Sequence, residues 1–151
     1  MSIFSSMNTT TSALTAQRLR MDVISSNIAN IDTTRAKQVN GEWEPYRRKT
    51  VTLSANEGRF SSFLNKAMGK TSDVGNGVKV TKIGEDNETP FKLVYDPSHP
   101  DANEDGYVEM PNVDLLKEMV DLISASRSYE ANVTVLNANK SMLTKALEIG
   151  K

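Results

Sequence analysis

Apolar side chains recur at heptad spacing near both ends of the chain, and the stretch between them follows a different pattern. Over residues 3–31, Met7, Leu14, Met21 and Ile28 stand seven apart, and Ile24 and Ile31 follow Met21 and Ile28 by three. Over 113–149, Leu115, Leu122, Tyr129, Leu136 and Leu143 form an unbroken series. Met119, Val133 and Leu147 mark an adjoining seam that Ser126 and Lys140 interrupt. A heptad repeat winds a helix around another helix or around neighbours in an assembly. The pattern predicts an α+β chain: long N- and C-terminal helices forming a coiled-coil-like stalk, with a small β-rich middle domain. The expected divisions are an N-terminal assembly helix over 1–34, the middle domain over 35–111 and a C-terminal assembly helix over 112–151.

The two helices differ in character. The first 17 residues carry no charged side chain and are rich in Ser, Thr and Asn, which are mediocre helix formers. Such a helix needs partners to persist. Asn27, Asn30 and Asp32 can bond their own backbone and end it near Ile31. The second helix opens after Pro111, with Asn112 as the expected N-cap and Asp114 and Glu118 suited to the positive end of the helix dipole. Lys140, Lys145 and Lys151 suit the other end, and Gly150 suits a stop. At 1.5 Å per residue it would be about 55 Å long, which demands a neighbour along its whole seam. Leu116, Val120, Ile123 and Val135 lie off the main seam. Apolar positions on more than one side imply more than one neighbour.

In the middle, 35–45 reads as loop, with Asn40-Gly41 as a turn and Pro45 as a breaker. Tyr46 to Leu53 reads as a strand. Phe60, Phe63, Leu64 and Met68 suggest a short helix, followed by a loop ending at Asn76-Gly77. Val78, Val80 and Ile83 alternate with polar residues, as do Phe91, Leu93 and Tyr95. With the acidic turn Glu85-Asp86-Asn87-Glu88 between them, these runs read as a hairpin. Residues 96–106 read as irregular, and Tyr107 to Met110 as a last short strand.

Composition narrows the chemistry. The absence of cysteine removes disulfides, thiolate nucleophiles and sulfur-ligated zinc. A net charge of −1 gives no basic face for nucleic acid. The N-terminus lacks the basic and apolar regions of a cleaved signal peptide, and no apolar run reaches the ~20 residues of a membrane span. His99 with Ser98 and Asp96 holds the residue types of a triad, but near neighbours in a proline-fixed loop do not reach triad geometry. Asp101-Ala102-Asn103-Glu104-Asp105-Gly106 matches the first half of a calcium loop. Its twelfth position, where a bidentate Glu belongs, is Asn112. A metal-dependent module built on the 96–106 loop is the competing function, set against a solvated acidic turn. Tyr46-Arg47-Arg48-Lys49 beside Trp43 could meet phosphates, but without a wider basic face it reads as a strand with outward charges. Gly75-x-Gly77 is a turn lacking the rest of a phosphate loop. No catalytic, metal or cofactor residue is assigned, and the chain reads as an assembly subunit, not an enzyme.

Ser12-Ala13-Leu14-Thr15-Ala16-Gln17-Arg18-Leu19-Arg20-Met21-Asp22-Val23-Ile24-Ser25-Ser26-Asn27-Ile28-Ala29-Asn30 closely resembles the N-terminal signature of bacterial flagellar rod and hook (axial) proteins. Where most of that family continue with Thr, a Gly and an aromatic, this chain runs Ile31-Asp32-Thr33-Thr34-Arg35-Ala36, as the proximal-rod subtype does. Pro45-Tyr46-Arg47-Arg48-Lys49, Phe91-Lys92-Leu93-Val94-Tyr95-Asp96-Pro97, His99-Pro100-Asp101-Ala102 and Glu104-Asp105-Gly106-Tyr107-Val108 agree with that subtype. Met119 to Asn132 is similar to the family's closing helix. The resemblance implies a structural subunit of the flagellar basal-body rod, exported by the flagellar type III apparatus without a cleaved signal. It implies that the terminal helices form an inner tube with the middle domain outside. The implied partners are further copies of the chain, other rod proteins and the adaptor joining the rod to the export gate, with no nucleic acid and no membrane insertion. The heptad residues of both helices are then the expected assembly interface. Leu14, Met21, Ile24 and Ile28 would pack on Leu122, Tyr129, Leu136 and Leu143, within or between subunits.

Overall fold

The computed structural model describes residues 3–39, 41–56, 64, 67–69 and 77–149. The chain runs α1 (Ile3–Ala29), β1 (Lys37–Val39), β2 (Glu42–Glu44), β3 (Lys49–Ala55), β4 (Val78–Glu85), β5 (Lys92–Tyr95), β6 (Tyr107–Met110) and α2 (Leu115–Ile149). Two long helices flank small strand pairs, as the α+β reading expects. The polar start of α1 is accommodated by back-bonding. The hydroxyls of Thr9, Thr10, Thr11 and Thr15 each donate to the carbonyl four residues earlier, at 2.8–3.0 Å, which removes their competition for other backbone groups. The helix ends two residues before Ile31. There Asn30 Nδ2 donates to the Ser26 carbonyl at 2.8 Å, and Thr33 N–H turns back to the Asn30 carbonyl at 3.2 Å.

The start of α2 corrects the expected cap. Asp114, not Asn112, caps the helix. Its Oδ1 accepts the Leu116 N–H at 3.0 Å, and its carbonyl accepts the Glu118 N–H at 2.9 Å. Asn112 is buried and engaged elsewhere: its Oδ1 accepts the Arg48 N–H at 2.8 Å, and its Nδ2 donates to the Asp86 and Thr89 carbonyls, both at 3.0 Å.

Among the described residues each sheet has two strands, β1 with β2, β3 with β4 and β5 with β6. The segment read as loop over 35–45 is an antiparallel hairpin with Lys37 opposite Glu44 and Val39 opposite Glu42. Three-residue strands of mostly charged and amide side chains are too short for an alternating pattern to reveal them. The expected hairpin of 78–83 with 91–95 does not form. Alternation orients a strand's faces without naming its partner. Asp86 holds the intervening turn through the Thr89 N–H and hydroxyl, at 3.0 and 2.9 Å, while Asn112 takes that turn's carbonyls. The turn is thereby fastened to the segment before α2, and β5 pairs with β6 instead, Leu93 opposite Glu109 and Tyr95 opposite Tyr107. The loop 96–106 connects that pair. Gly106 (φ 80°) turns the chain into β6, and a Cβ there would stand 3.0 Å from the Tyr95 ring. Most of the expected helix around Phe60 and Phe63, together with Asn40, Gly75, Asn76, Gly150 and Lys151, lies outside the described residues.

The chain divides into two compact units. One comprises Met1–Arg20, Thr52–Lys82 and Ala125–Lys151, the other Met21–Val51 and Ile83–Ser124. In the first, Ala16 and Ala125 are buried, and Ser12 Oγ accepts the Val78 N–H at 3.1 Å. Gly77, at φ 76°, lies so close to Ser12 that any Cβ would collide with its hydroxyl. Asn139 Nδ2 donates to Ser6 Oγ at 3.1 Å in the same unit. In the second, Val23, Ile24, Tyr46, Val108 and Val113 form the apolar core.

Candidate assembly interface

The second unit is organised by a buried polar cluster between the end of α1 and the start of α2. Asn27 uses its whole hydrogen-bonding capacity. Its Nδ2 donates to the Lys49 carbonyl at 2.9 Å and to Glu118 Oε2 at 3.0 Å. Its Oδ1 accepts the Tyr46 hydroxyl at 3.0 Å and the Lys49 N–H at 2.8 Å. Tyr46 has spent its proton on Asn27, so Ser26 Oγ, 3.3 Å away, donates to it. Glu118, 0% exposed, accepts Arg48 Nε on Oε1 at 2.5 Å. Arg48 also reaches Asp121 at 3.7 Å. A buried polar network this fully bonded rigidifies its surroundings, whereas each member left alone would be costly. Lys92 Nζ adds a bond to the Val113 carbonyl at 2.5 Å.

The heptad residues do not share one environment. Ile24 is buried, and Met7, Leu14, Met21 and Ile28 are half-buried on α1. Leu122, Tyr129, Val133, Leu136 and Leu143 are half-buried on α2, while Leu115, Met119 and Leu147 are exposed. The most buried row of α2 is a different one: Glu118, Ala125 and Asn139 are buried and Asn132 half-buried. That row keeps heptad spacing with small and polar side chains. A search for apolar periodicity passes over it, although the seven-residue recurrence of Glu, Ala, Asn and Asn was available to be noticed. Asn27, Tyr46, Arg48 and Asn112 were missed as contact residues for the same reason, since nothing local marks a polar residue as buried.

Apolar area remains uncovered on both helices. At the start of α2, Leu116 is 75%, Val120 66% and Ile123 60% exposed, beside Leu115 and Met119. Positions i, i+4 and i+7 lie on one helical face. Phe4, Met142, Leu147 and Ile149 are also exposed.

The basic cluster and the acidic loop are occupied by their own surroundings. The Arg47 guanidinium lies 4.3 Å over the Phe91 ring and Lys49 Nζ 5.6 Å over Tyr46, within cation–π range. Asp101, first in the calcium-like hexapeptide, accepts Arg35 Nε at 2.7 Å and the Thr34 hydroxyl at 2.8 Å. Asn103 Oδ1 accepts the Asp105 and Tyr107 N–H groups at 3.1 and 2.8 Å. His99 Nδ1 accepts the Asp101 N–H at 3.1 Å, and Ser98 Oγ donates to Asp96 at 2.6 Å, so the hydroxyl serves the loop's own turn. Among the described residues no group of three or more His, Cys, Asp or Glu could hold a metal ion, and nothing in the loop favours the calcium reading.

The hydrogen bond from Arg35, then that from Thr34, hold the Asp101 carboxyl below the usual carboxylate range. A depressed folded value contributes stability that is present above the unfolded pKa of about 3.9 and is lost as pH falls through the folded value. Arg35→Ala is expected to move the Asp101 titration up toward the ordinary carboxylate range, read from its carboxyl carbon shift by NMR. The global effect is small because the pair is exposed to solvent. An unmoved titration would assign the depression to Thr34 alone.

Two long terminal helices with short antiparallel strand pairs between them in sequence place the described residues in the α+β class. Two family models match the chain, Flagella basal body rod protein over residues 7–37 and Flagellar basal body rod FlgEFG protein C-terminal over residues 104–149. The flagellar basal-body rod protein FlgC of Bacillus subtilis (strain 168) is 66% identical over 151 residues, covering all of both chains. That of Borreliella burgdorferi is 46% identical over 99% of this chain and 98% of its own. That of Salmonella typhimurium is 43% identical over 93% of this chain and 92% of its own. The chain belongs to the flagellar basal-body rod protein family, in its FlgC branch.

Proposed function

We propose that this chain is a structural subunit of the bacterial flagellar basal-body rod, building with other axial proteins a tube that transmits torque and passes exported subunits. The observation that carries this reading is 66% identity to a basal-body rod protein along the entire length of both chains. The chain works in the basal body and catalyses no reaction. Its partners are further copies of itself, other rod proteins, the adaptor between rod and export gate, and the type III export apparatus that delivers it. Residues 1–34 and 112–151 act as assembly helices in a coiled-coil-like stalk, and 35–111 as the β-rich middle domain. The uncovered apolar positions of α2 support this role, because heterologous contacts that do not close on themselves produce an open helical filament. No described helix is long and apolar enough to cross a membrane.

The test places charge on the exposed stripe. Val120→Asp with Ile123→Asp, as the sole copy in a motile strain, is expected to leave the purified chain folded, its melting midpoint within about 4 °C, because both side chains face water in the subunit. Rods and swimming should be lost. Normal rods and normal swimming would sink the assignment of this face to assembly.

A further inference from the structure

We propose that polar clasps centred on the buried Asn27, Glu118 and Asn139, and not the apolar heptads, select the register in which α1 meets α2. This concerns the isolated chain and stands apart from the rod assignment. Apolar heptads alone are degenerate: a seven-residue slide returns one row of large apolar side chains to another. Met7, Leu14, Met21 and Ile28 would meet Leu122, Tyr129, Leu136 and Leu143 almost as well after such a slide.

The polar positions are not degenerate. On α1, Ser6, Ala13, Arg20 and Asn27 lie in one heptad row; on α2, Glu118, Ala125, Asn132 and Asn139 lie in another. In one unit early α1 meets late α2, through Ser6 and Asn139. In the other, late α1 meets early α2, through Asn27 and Glu118. Each clasp is thus three heptads from the other along both helices. A one-heptad slip in one direction sets Asn139 against Ala13 and Asn27 against Ala125, a methyl group in place of a carboxylate. A slip in the other direction sets Asn132 against Ser6 and carries Asn27 beyond the start of α2. Either way Asn27 gives up its bond to Glu118, at a site where it is 1% exposed and water cannot replace what is lost. The segment leading into β3 enforces the same choice. The Lys49 backbone and the Tyr46 hydroxyl bind Asn27, and the Arg48 guanidinium binds Glu118, so one register satisfies groups from three elements together. A buried polar residue that fixes helix pairing in this manner is the best attested use of such groups.

The absence of cysteine from the chain makes disulfide trapping a direct readout. Three double-cysteine chains of full length are oxidised: Ser6→Cys/Asn139→Cys reports the native register, while Ala13→Cys/Asn139→Cys and Ser6→Cys/Asn132→Cys report the two slips. With the Asn27 clasp intact, the native pair should close within the monomer and each slipped pair should close about tenfold less. In a background carrying Asn27→Leu, Arg48→Met and Glu118→Leu, slipped closure relative to native is expected to rise about tenfold, with helix content by circular dichroism retained. An unchanged ratio in that folded background overturns the proposal. Should that background fail to fold, the isosteric Glu118→Gln decides. A slipped-to-native ratio raised about threefold supports the clasp, and an unaltered ratio shows that apolar packing sets the register. None of these outcomes depends on rod assembly.

Discussion

Glu118→Ala is expected to destabilise the folded chain by about 3 kcal/mol, the lower end of what breaking a buried ion pair costs. The carboxylate is fully enclosed, with one oxygen on Arg48 Nε and the other on Asn27 Nδ2. Truncation leaves two buried donors without acceptors, and the penalty is the desolvation of those donors more than the loss of one attraction. Arg48 retains Asp121 at 3.7 Å and a little solvent contact, which is why the upper end of the range is not reached. For a chain of this length the melting midpoint should fall by roughly 6–12 °C. Thermal unfolding followed by circular dichroism measures it, and a fall below about 2 °C would mean that Asp121 takes over the guanidinium. Glu118→Gln should lose less, because the amide oxygen still accepts one donor.

Leu136→Asp is expected to abolish rods and swimming while the β5–β6 pair keeps its amide-exchange protection. Leu136 is half-buried on α2 in the row with Leu122, Tyr129 and Leu143. A carboxylate there is either desolvated, at a cost of several kcal/mol, or keeps its water and holds the facing surface away. Both outcomes open the seam. The β5–β6 register and the Asn27 cluster are built from residues of the other compact unit, so local structure there should survive. Electron microscopy of basal bodies and swimming assays of a strain carrying only this variant measure the effect; normal motility would exclude the Leu122–Leu143 row from assembly. The comparison with Val120→Asp/Ile123→Asp is informative: those side chains are exposed in the subunit, so that variant should lose assembly with little loss of stability, whereas Leu136→Asp should lose both.

Much of the fold was legible in the chain because its two kinds of element obey different periods. The seven-residue recurrence located both helices within two residues of their observed ends, since a helix must present one face repeatedly. The strands at 49–55, 78–85, 92–95 and 107–110 were visible wherever apolar and polar residues alternated. Pairing was not visible. Alternation over 78–83 and 91–95 suggested a hairpin, yet β4 joins β3 and β5 joins β6, because the Asp86 turn is fastened by Asn112 from a distant part of the chain. The strands at 37–39 and 42–44 are three residues each, too short for alternation to stand out: Glu42-Trp43-Glu44 completes one cycle and Lys37-Gln38-Val39 none.

What the amino-acid sequence determined by itself was periodicity, the surplus of apolar positions on α2, and the family signature along nearly the whole chain, residues 54–76 apart. Tertiary structure alone decided which polar residues are buried and whom they meet. Asn27, Arg48, Asn112 and Glu118 look like ordinary surface residues, and Asn112 even looks like a cap. Their role depends on partners tens of residues away, and no neighbour in sequence records that a hydrogen bond will close there. Apolar spacing expresses a preference each residue holds alone. A buried polar cluster exists only when every member has been delivered to the same place, and the folded chain supplies that condition.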